Sequence, residues 1–284
     1  MSDVKAVFIQ RMGPTMASYR YRAAIPAQAI GGSVNGGEAN VLIFSKPTPD
    51  DLTLAKESKA EGIKIIADIG DDHFLHETWG PIYREMVTLA DALVTPTENQ
   101  ASRIKRYTGR TVDAIIPDPY EEALTLPHAN DARKFIWFGH PVNLKDLKPW
   151  LDEYLRTLDI TIVTAENHGL VHDYLRWSPA VQTAQLHLAH IAIFPTRKGH
   201  EYKSPNRVVN ALRAGCFPVC GLHPAYTEFK EFIWQGNFAT GLRWAQHFRA
   251  DLNDRVAEGQ RYVEKFSPEN VGKRWRQLIE TVCA

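Results

Sequence analysis

The sequence predicts an α/β protein built from two Rossmann-like, doubly wound domains in succession. Three observations carry this. Short apolar runs recur between helical patterns, as in βαβ units with a parallel sheet. The alternation breaks once, at a proline-rich polar stretch, and then resumes. The 284 residues are too many for one ordinary α/β unit and comfortable for two.

Taken in order, Val7–Gln10, Val41–Ser45, Ile63–Ala67, Ala92–Thr95 and Ala114–Ile116 read as strands. Helices are expected near 18–30, 50–60, 80–90 and 98–107. Ile116-Pro117-Asp118-Pro119 is turn chemistry, and the chain stays polar to Asp131. The domains are therefore expected at 1–120 and 121–284. Phe135–Phe138, Ile160–Val163, Ile191–Phe194 and Phe217–Cys220 continue the strand series, with helices near 143–157, 204–214 and 251–265. A last helix, about 268–281, has Ser267 as its N-cap and Pro268 at its first position.

Composition narrows the function classes. The net charge is zero, so nothing in the overall charge favours nucleic acid or an anionic membrane. Three cysteines (Cys216, Cys220, Cys283) make no disulfide framework and fit a reducing, cytoplasmic setting. No apolar run nears the roughly 20 residues that span a bilayer, so stable membrane insertion is not expected. No signal peptide is expected at the N-terminus either.

The most informative segment follows Ile191–Phe194. Ser204 is expected to cap a helix that has Pro205 at its first position, Asn206 next, Val208, Ala211 and Leu212 on one face, and Gly215 as its stop. Lys198, Lys203 and Arg207 fall at or just before that N-terminus. A helix start already carries partial positive charge, so these cations are misplaced unless an anion such as a diphosphate joins them. The alternative is that they reach into water or pair with Glu201.

Asp68-Ile69-Gly70-Asp71-Asp72-His73 ends the third strand, where ligands of open α/β sheets bind. Asp71, Asp72 and His73 are the catalytic candidates, since a carboxylate or an imidazole can take a hydroxyl proton. A magnesium site and an acidic loop capping the next helix are the competing readings. Glu166-Asn167-His168 follows another strand. Cys216 and Cys220 read as core residues. Arg103, Lys105, Arg106 and Arg110 read as a solvated face, or as a contact for phosphate on nucleic acid or lipid.

Asn210-Ala211-Leu212-Arg213-Ala214-Gly215-Cys216-Phe217-Pro218-Val219 resembles the helix-to-strand element of GT-B glycosyltransferases, especially the retaining group called family four. Tyr226-Thr227-Glu228, Gly236-Asn237, Gly241-Leu242 and Phe266-Ser267-Pro268-Glu269 continue the likeness, which covers the second domain by motif and the first by pattern. It implies transfer of a hexose from a nucleotide-diphosphate sugar to a hydroxyl acceptor, with no separate cofactor, no metal, and a last helix returning to the first domain. It also implies donor-side roles for Gly139 and His140, with Lys145 nearby, and for Gly13 with Arg20. Arg20 and Arg22 face different sides of one helix, so at most one enters the site. Compact relatives in bacteria and phages imply glycans, lipids or hydroxymethylated DNA bases as acceptors. The sequence departs from the family in one respect: its two glutamates are replaced by Tyr202 and Asn210. That substitution keeps two alternatives open, a non-catalytic nucleotide-binding protein and a nucleotide-sugar epimerase on the same frame.

Overall fold

The computed structural model describes residues 5–121, 124–128, 134–153, 158–166, 169, 173–195, 202–247 and 249–284. The chain divides into two units: one is Met1–Pro119 with Tyr202–Ser204 and Lys265–Ala284, the other Tyr120–Glu201 with Pro205–Glu264. The second unit is thus narrower than the 121–284 span expected from the sequence.

The first unit opens with β1 (Ala6–Ile9), whose four apolar residues are all buried, as in a strand covered on both faces. α1 (Ala17–Tyr19) runs into a π-helical segment, Arg20–Ala24, and then into α2 (Ile25–Ile30). Gly31, at φ 76°, ends α2 in the left-handed region. β2 (Ser33–Val34) and β3 (Val41–Ser45) flank β1. α3 (Pro49–Ala60) starts at a capping box of Thr48 and Asp51. β4 (Lys64–Asp68), α4 (Trp79–Leu89), β5 (Ala92–Thr95), α5 (Glu98–Thr108) and β6 (Ala114–Ile115) complete the series. The sheet is parallel, in the order β2-β1-β3-β4-β5-β6.

The second unit repeats the plan. β7 (Lys134–Phe138), α6 (Leu144–Glu153), β8 (Asp159–Thr164), β9 (Leu175–Arg176), α7 (Pro179–Leu188) and β10 (Ile191–Phe194) lead to α8 (Asn206–Arg213). β11 (Phe217–Gly221), β12 (Trp234–Gly236), α9 (Phe238–His247) and α10 (Arg249–Val263) follow. This second parallel sheet has the order β12-β11-β10-β7-β8-β9. After α8, Gly215 takes φ 85°, and a Cβ there would lie 2.5 Å from the Leu126 carbonyl oxygen.

The final helix, α11 (Pro268–Cys283), belongs to the first unit, as the resemblance implies. Ser267 caps it by accepting from the Asn270 amide at 3.1 Å. Gly272 lets it lie directly on α2, since a Cβ at that position would stand 2.9 Å from the Ala29 Cβ. Trp275 is fully buried and meets Phe8 edge-on at 5.3 Å.

Three short edge strands (β2, β9, β12) and two helices (α7, α9) are additions to the elements read from the sequence. Strands of two or three residues have too few positions to show a period. α9 carries Gly241, which makes room for the Trp234 ring and weakens the helical signal.

One buried ion-pair network ties the first unit together. Arg22 lies in the π-helical segment and donates from Nε and Nη2 to Asp68 at 2.9 and 2.5 Å. Its Nη1 donates to the Ile116 carbonyl at 2.7 Å and to Asp118 at 3.2 Å. Its guanidinium also sits over the Trp275 ring, 5.7 Å from the centroid. Burial opposes the Arg22 charge. Asp68, by charge and hydrogen bond, and then Asp118 outweigh that burial and push the group further up. Removing one partner from such a network strands the other charge in an apolar setting. Arg22→Ala should therefore lower stability by about 3–5 kcal/mol in urea unfolding, far more than truncating an exposed arginine.

Candidate functional site at the strand ends

In the second unit, the carboxyl edge of the sheet carries Arg207. β10 pairs with both β7 and β11, so Gly139 just after β7, Phe194 at the end of β10 and Cys220 near the end of β11 lie at neighbouring parallel strand ends. The Arg207 guanidinium lies over the Phe194 ring, 4.9 Å from its centroid. Its Nη1 is 3.4 Å from where a Gly139 Cβ would stand, so glycine at that turn leaves room for the arginine. Arg207 also donates a hydrogen bond to the buried Tyr226 hydroxyl. Burial pushes that hydroxyl up, and the arginine's charge and hydrogen bond pull against it.

The helix that carries Arg207 starts one residue later than the sequence suggests. Pro205, at φ −78° and ψ 18°, is its N-cap, and no side chain caps it. The Pro205 carbonyl already accepts from the Val209 amide at 3.1 Å. Ser204 therefore lies one residue outside the cap, out of reach of the first-turn amides, which corrects the expected capping role. The backbone there keeps its capacity for an anion. Asn206 is the first helical residue, and its carbonyl accepts from Asn210 Nδ2 at 2.8 Å. Asn210 Oδ1 in turn accepts the Glu121 amide at 2.9 Å. Asn210 is thus 1% exposed and engaged in joining two backbone segments.

His140 caps the short turn Pro141–Asn143 through Nδ1, and Lys145 is exposed in the first turn of α6. Lys198, Glu201, Asn167 and His168 lie outside the described residues. Glu166 is exposed.

In the first unit, the strand ends separate the three acidic residues into different duties. Asp68 is committed to Arg22. Asp72 pairs with Arg103, whose guanidinium sits over the Tyr202 ring at 5.3 Å. Asp71 pairs with Lys46 Nζ at 2.7 Å, and Gln100 Nε2 donates to the Asp71 carbonyl at 2.9 Å. Burial works to raise the Asp71 carboxyl, but the Lys46 pair, aided by His73 and Lys203, holds it below the ordinary carboxylate value. His73 is half-buried, and its ring stands edge-on to Tyr83 at 5.2 Å. Burial pushes His73 down; Asp71 and Asp72 oppose this, Lys46 and His76 assist it, and the ring ends below its ordinary value. Near neutral pH it is an uncharged imidazole able to accept a proton.

The structure therefore brings Asp71, His73 and Lys203 together around Lys46. The Tyr202–Ser204 stretch is held to the first unit because Thr97, the cap of α5, donates to the Tyr202 carbonyl at 2.9 Å. Gly13 is exposed, with nothing within 4 Å of a Cβ there, and its carbonyl accepts from the Met16 amide. Arg20 closes the same loop by donating to the Thr15 carbonyl at 2.6 Å. Arg22, on the other face, is the buried one. The basic run is not uniformly a solvated face. Arg103 pairs inward, and Arg110 holds the Val87 and Ala90 carbonyls at 2.6 and 2.9 Å.

Sequence reasoning passed over Lys46. It follows β3 at φ 56°, and Pro47 comes next. A non-glycine residue in the left-handed region costs about 1–3 kcal/mol, and a following proline disfavours helical backbone further. No periodicity reveals such a residue, and its partner Asp71 lies on another strand's loop. Among the described residues, no group of three His, Cys, Asp or Glu is placed to hold a metal ion. No described helix is long and apolar enough to cross a membrane.

The sequence matches no protein-family model and no curated protein. Solved structures do match. HepE of Anabaena, in complex with UDP-glucose, has a TM-score of 0.77 at 10% identity over 98% of this chain and 99% of that one. An alpha-glucosyltransferase in complex with UDP and DNA containing an HMU base has a TM-score of 0.69 at 8% identity, over 99% of each chain. Trehalose-6-phosphate synthase, studied with bisubstrate glycomimetics, has a TM-score of 0.60 at 13% identity, over 85% of this chain and 73% of that one. The fold is that of the GT-B glycosyltransferases, with two parallel-sheet Rossmann-like halves.

The Asn210 bonds explain the missing glutamate and can be tested. Asn210→Glu keeps an acceptor for the Glu121 amide, loses the donor to Asn206 and buries a charge. It should destabilise the protein by about 1–3 kcal/mol in chemical denaturation.

Proposed function

We propose that the protein is a glycosyltransferase that moves a hexose from a nucleotide-diphosphate sugar to a hydroxyl acceptor. The observation that carries this is Arg207, set against Gly139 at the uncapped start of α8. A cation at the partly positive start of a helix suits a leaving diphosphate, whose charge grows in the transition state. The full-length fold likeness supports the same assignment, since HepE and the alpha-glucosyltransferase are both described with uridine nucleotides. UDP-glucose is accordingly the first donor to test, as a co-substrate with no separate cofactor. Gly13, Arg20, Lys203, Ser204, Asn206, His140 and Lys145 are the donor-side residues of this proposal, and a cytoplasmic location goes with it.

On the acceptor side, His73 takes the hydroxyl proton, while Asp71 pairs with Lys46 and Asp72 with Arg103 beside it. Among hydroxyl acceptors, a hydroxymethylated DNA base is the first to test beside glycans and lipids, because an enzyme of matching fold is described with DNA containing an HMU base.

Two outcomes follow. UDP at a hundredfold excess over its Kd should add about 2.7 kcal/mol of stability, read as a rise in Tm. No rise with UDP, GDP, ADP or TDP at millimolar concentration would sink the proposal. Arg207→Ala should weaken UDP binding about 10- to 100-fold by calorimetry in protein that is still folded, with an unliganded stability lower by about 1–3 kcal/mol for the lost Tyr226 hydrogen bond. Radiolabelled UDP-glucose offered to hydroxymethylated DNA, glycans and lipids should label the DNA.

A further inference from the structure

The first unit contains a strained residue that the donor assignment does not use. Lys46 holds φ 56° at the carboxyl end of β3, immediately before Pro47. Glycine would adopt this backbone without strain. The lysine side chain, only 25% exposed, reaches Asp71 at 2.7 Å. Its neighbour Ser45 hydrogen-bonds Asp68. The conformation thus aims one residue at Asp68 and the next at Asp71.

We propose that Lys46 is a positioning residue: its left-handed backbone aims an ion pair at Asp71, which holds that carboxyl in place and leaves the His73 ring beside it as the proton acceptor for the acceptor hydroxyl. The assignment rests on the glycosyl-transfer reading for the identity of that hydroxyl. In the step implied, the acceptor oxygen bonds to the anomeric carbon as the bond from that carbon to the diphosphate oxygen breaks. The electron pair leaves with the nucleoside diphosphate, and the hydroxyl proton passes to a His73 ring nitrogen. The groups facing His73 are Asp71, Asp72 and His76 from its own loop, Lys46 from the end of β3, and the Tyr83 ring from α4. Lys203 faces Asp71 from the 202–204 stretch. Two carboxylates and the Lys46 ammonium thus act on one ring, and removing a single member changes the ring's charge balance with a defined sign.

The test is the His73 ring titration by NMR, with the resonance assigned by comparison with His73→Gln. In the wild type the ring should titrate below the ordinary histidine value. Lys46→Met removes a cation and leaves the Asp71 charge less screened, so the His73 midpoint should rise by about half a unit or more. Asp71→Asn removes the anion and should lower it. Lys46→Arg should restore the wild-type midpoint, and Lys56→Met, at an exposed pair with Glu85, should not move it.

A merely structural role would expose the ring in both variants and move both midpoints up toward the free value. An unmoved midpoint in Lys46→Met, or a rise in Asp71→Asn, overturns the proposal. If Lys46→Met fails to fold, Asp71→Asn and Lys46→Arg decide it alone. The acid limb of kcat/KM for UDP-glucose hydrolysis should track the ring midpoint across the variants. A limb that stays fixed while the ring moves removes His73 as the proton acceptor. If no nucleotide sugar is bound or turned over, the glycosyl-transfer reading fails, while the opposed ring shifts still decide whether Lys46 governs His73.

Discussion

The first unit is organised around a single buried guanidinium. Arg22 joins the π-helical segment after β1, the end of β4, the chain at Ile116–Asp118 and the face of Trp275 on α11. A charge so deep is tolerable only because every arm of its fork has an acceptor. The geometry also spends Asp68, the most buried carboxylate of its loop, on structure. What remains for chemistry is therefore fixed by what the core has already claimed. The π-helical turn fits this role, since one wider turn places Arg22 inward and Arg20 outward on the loop that follows β1.

The same division recurs at the other polar positions. Asn210 is engaged in joining Glu121 to Asn206. Asp72 is tied to Arg103, and Asp71 to Lys46. Against this background Arg207 and His73 stand out. Arg207 crosses three strand ends with an aromatic ring beneath it, and the His73 ring is surrounded by charges while staying neutral itself.

Much of the fold was legible in the sequence, because buried parallel strands read as apolar runs and helix ends have local chemistry. Ser267-Pro268 and Gly215 each act as their residue types require. Ser204-Pro205 looked equivalent to Ser267-Pro268, yet there the proline itself became the cap, because its backbone already leaned into the helix. Local sequence does not distinguish these outcomes; the burial of Pro205 does. The candidate site was legible by position and not by role. The Asp71 to His73 loop could be placed at a strand end, but the sorting of its carboxylates depended on Arg22, Lys46 and Arg103, each far away in sequence. The strain at Lys46 has no sequence signature, since lysine is an ordinary residue in any other conformation.

The placement of α11 has a consequence for how the protein is made. Phe8 and Trp275, near opposite ends of the sequence, form one packed pair, and the whole second unit is spelled out between them. During synthesis, β1 to β6 emerge long before the helix that covers Ala6, Phe8 and Val41. Until then, one face of that sheet is open and the Arg22 network lacks its aromatic lid. The second unit, though later in sequence, is complete at Glu264, before α11 begins. The part translated first is thus the part completed last, and the nascent first unit is where a chaperone would find exposed apolar surface.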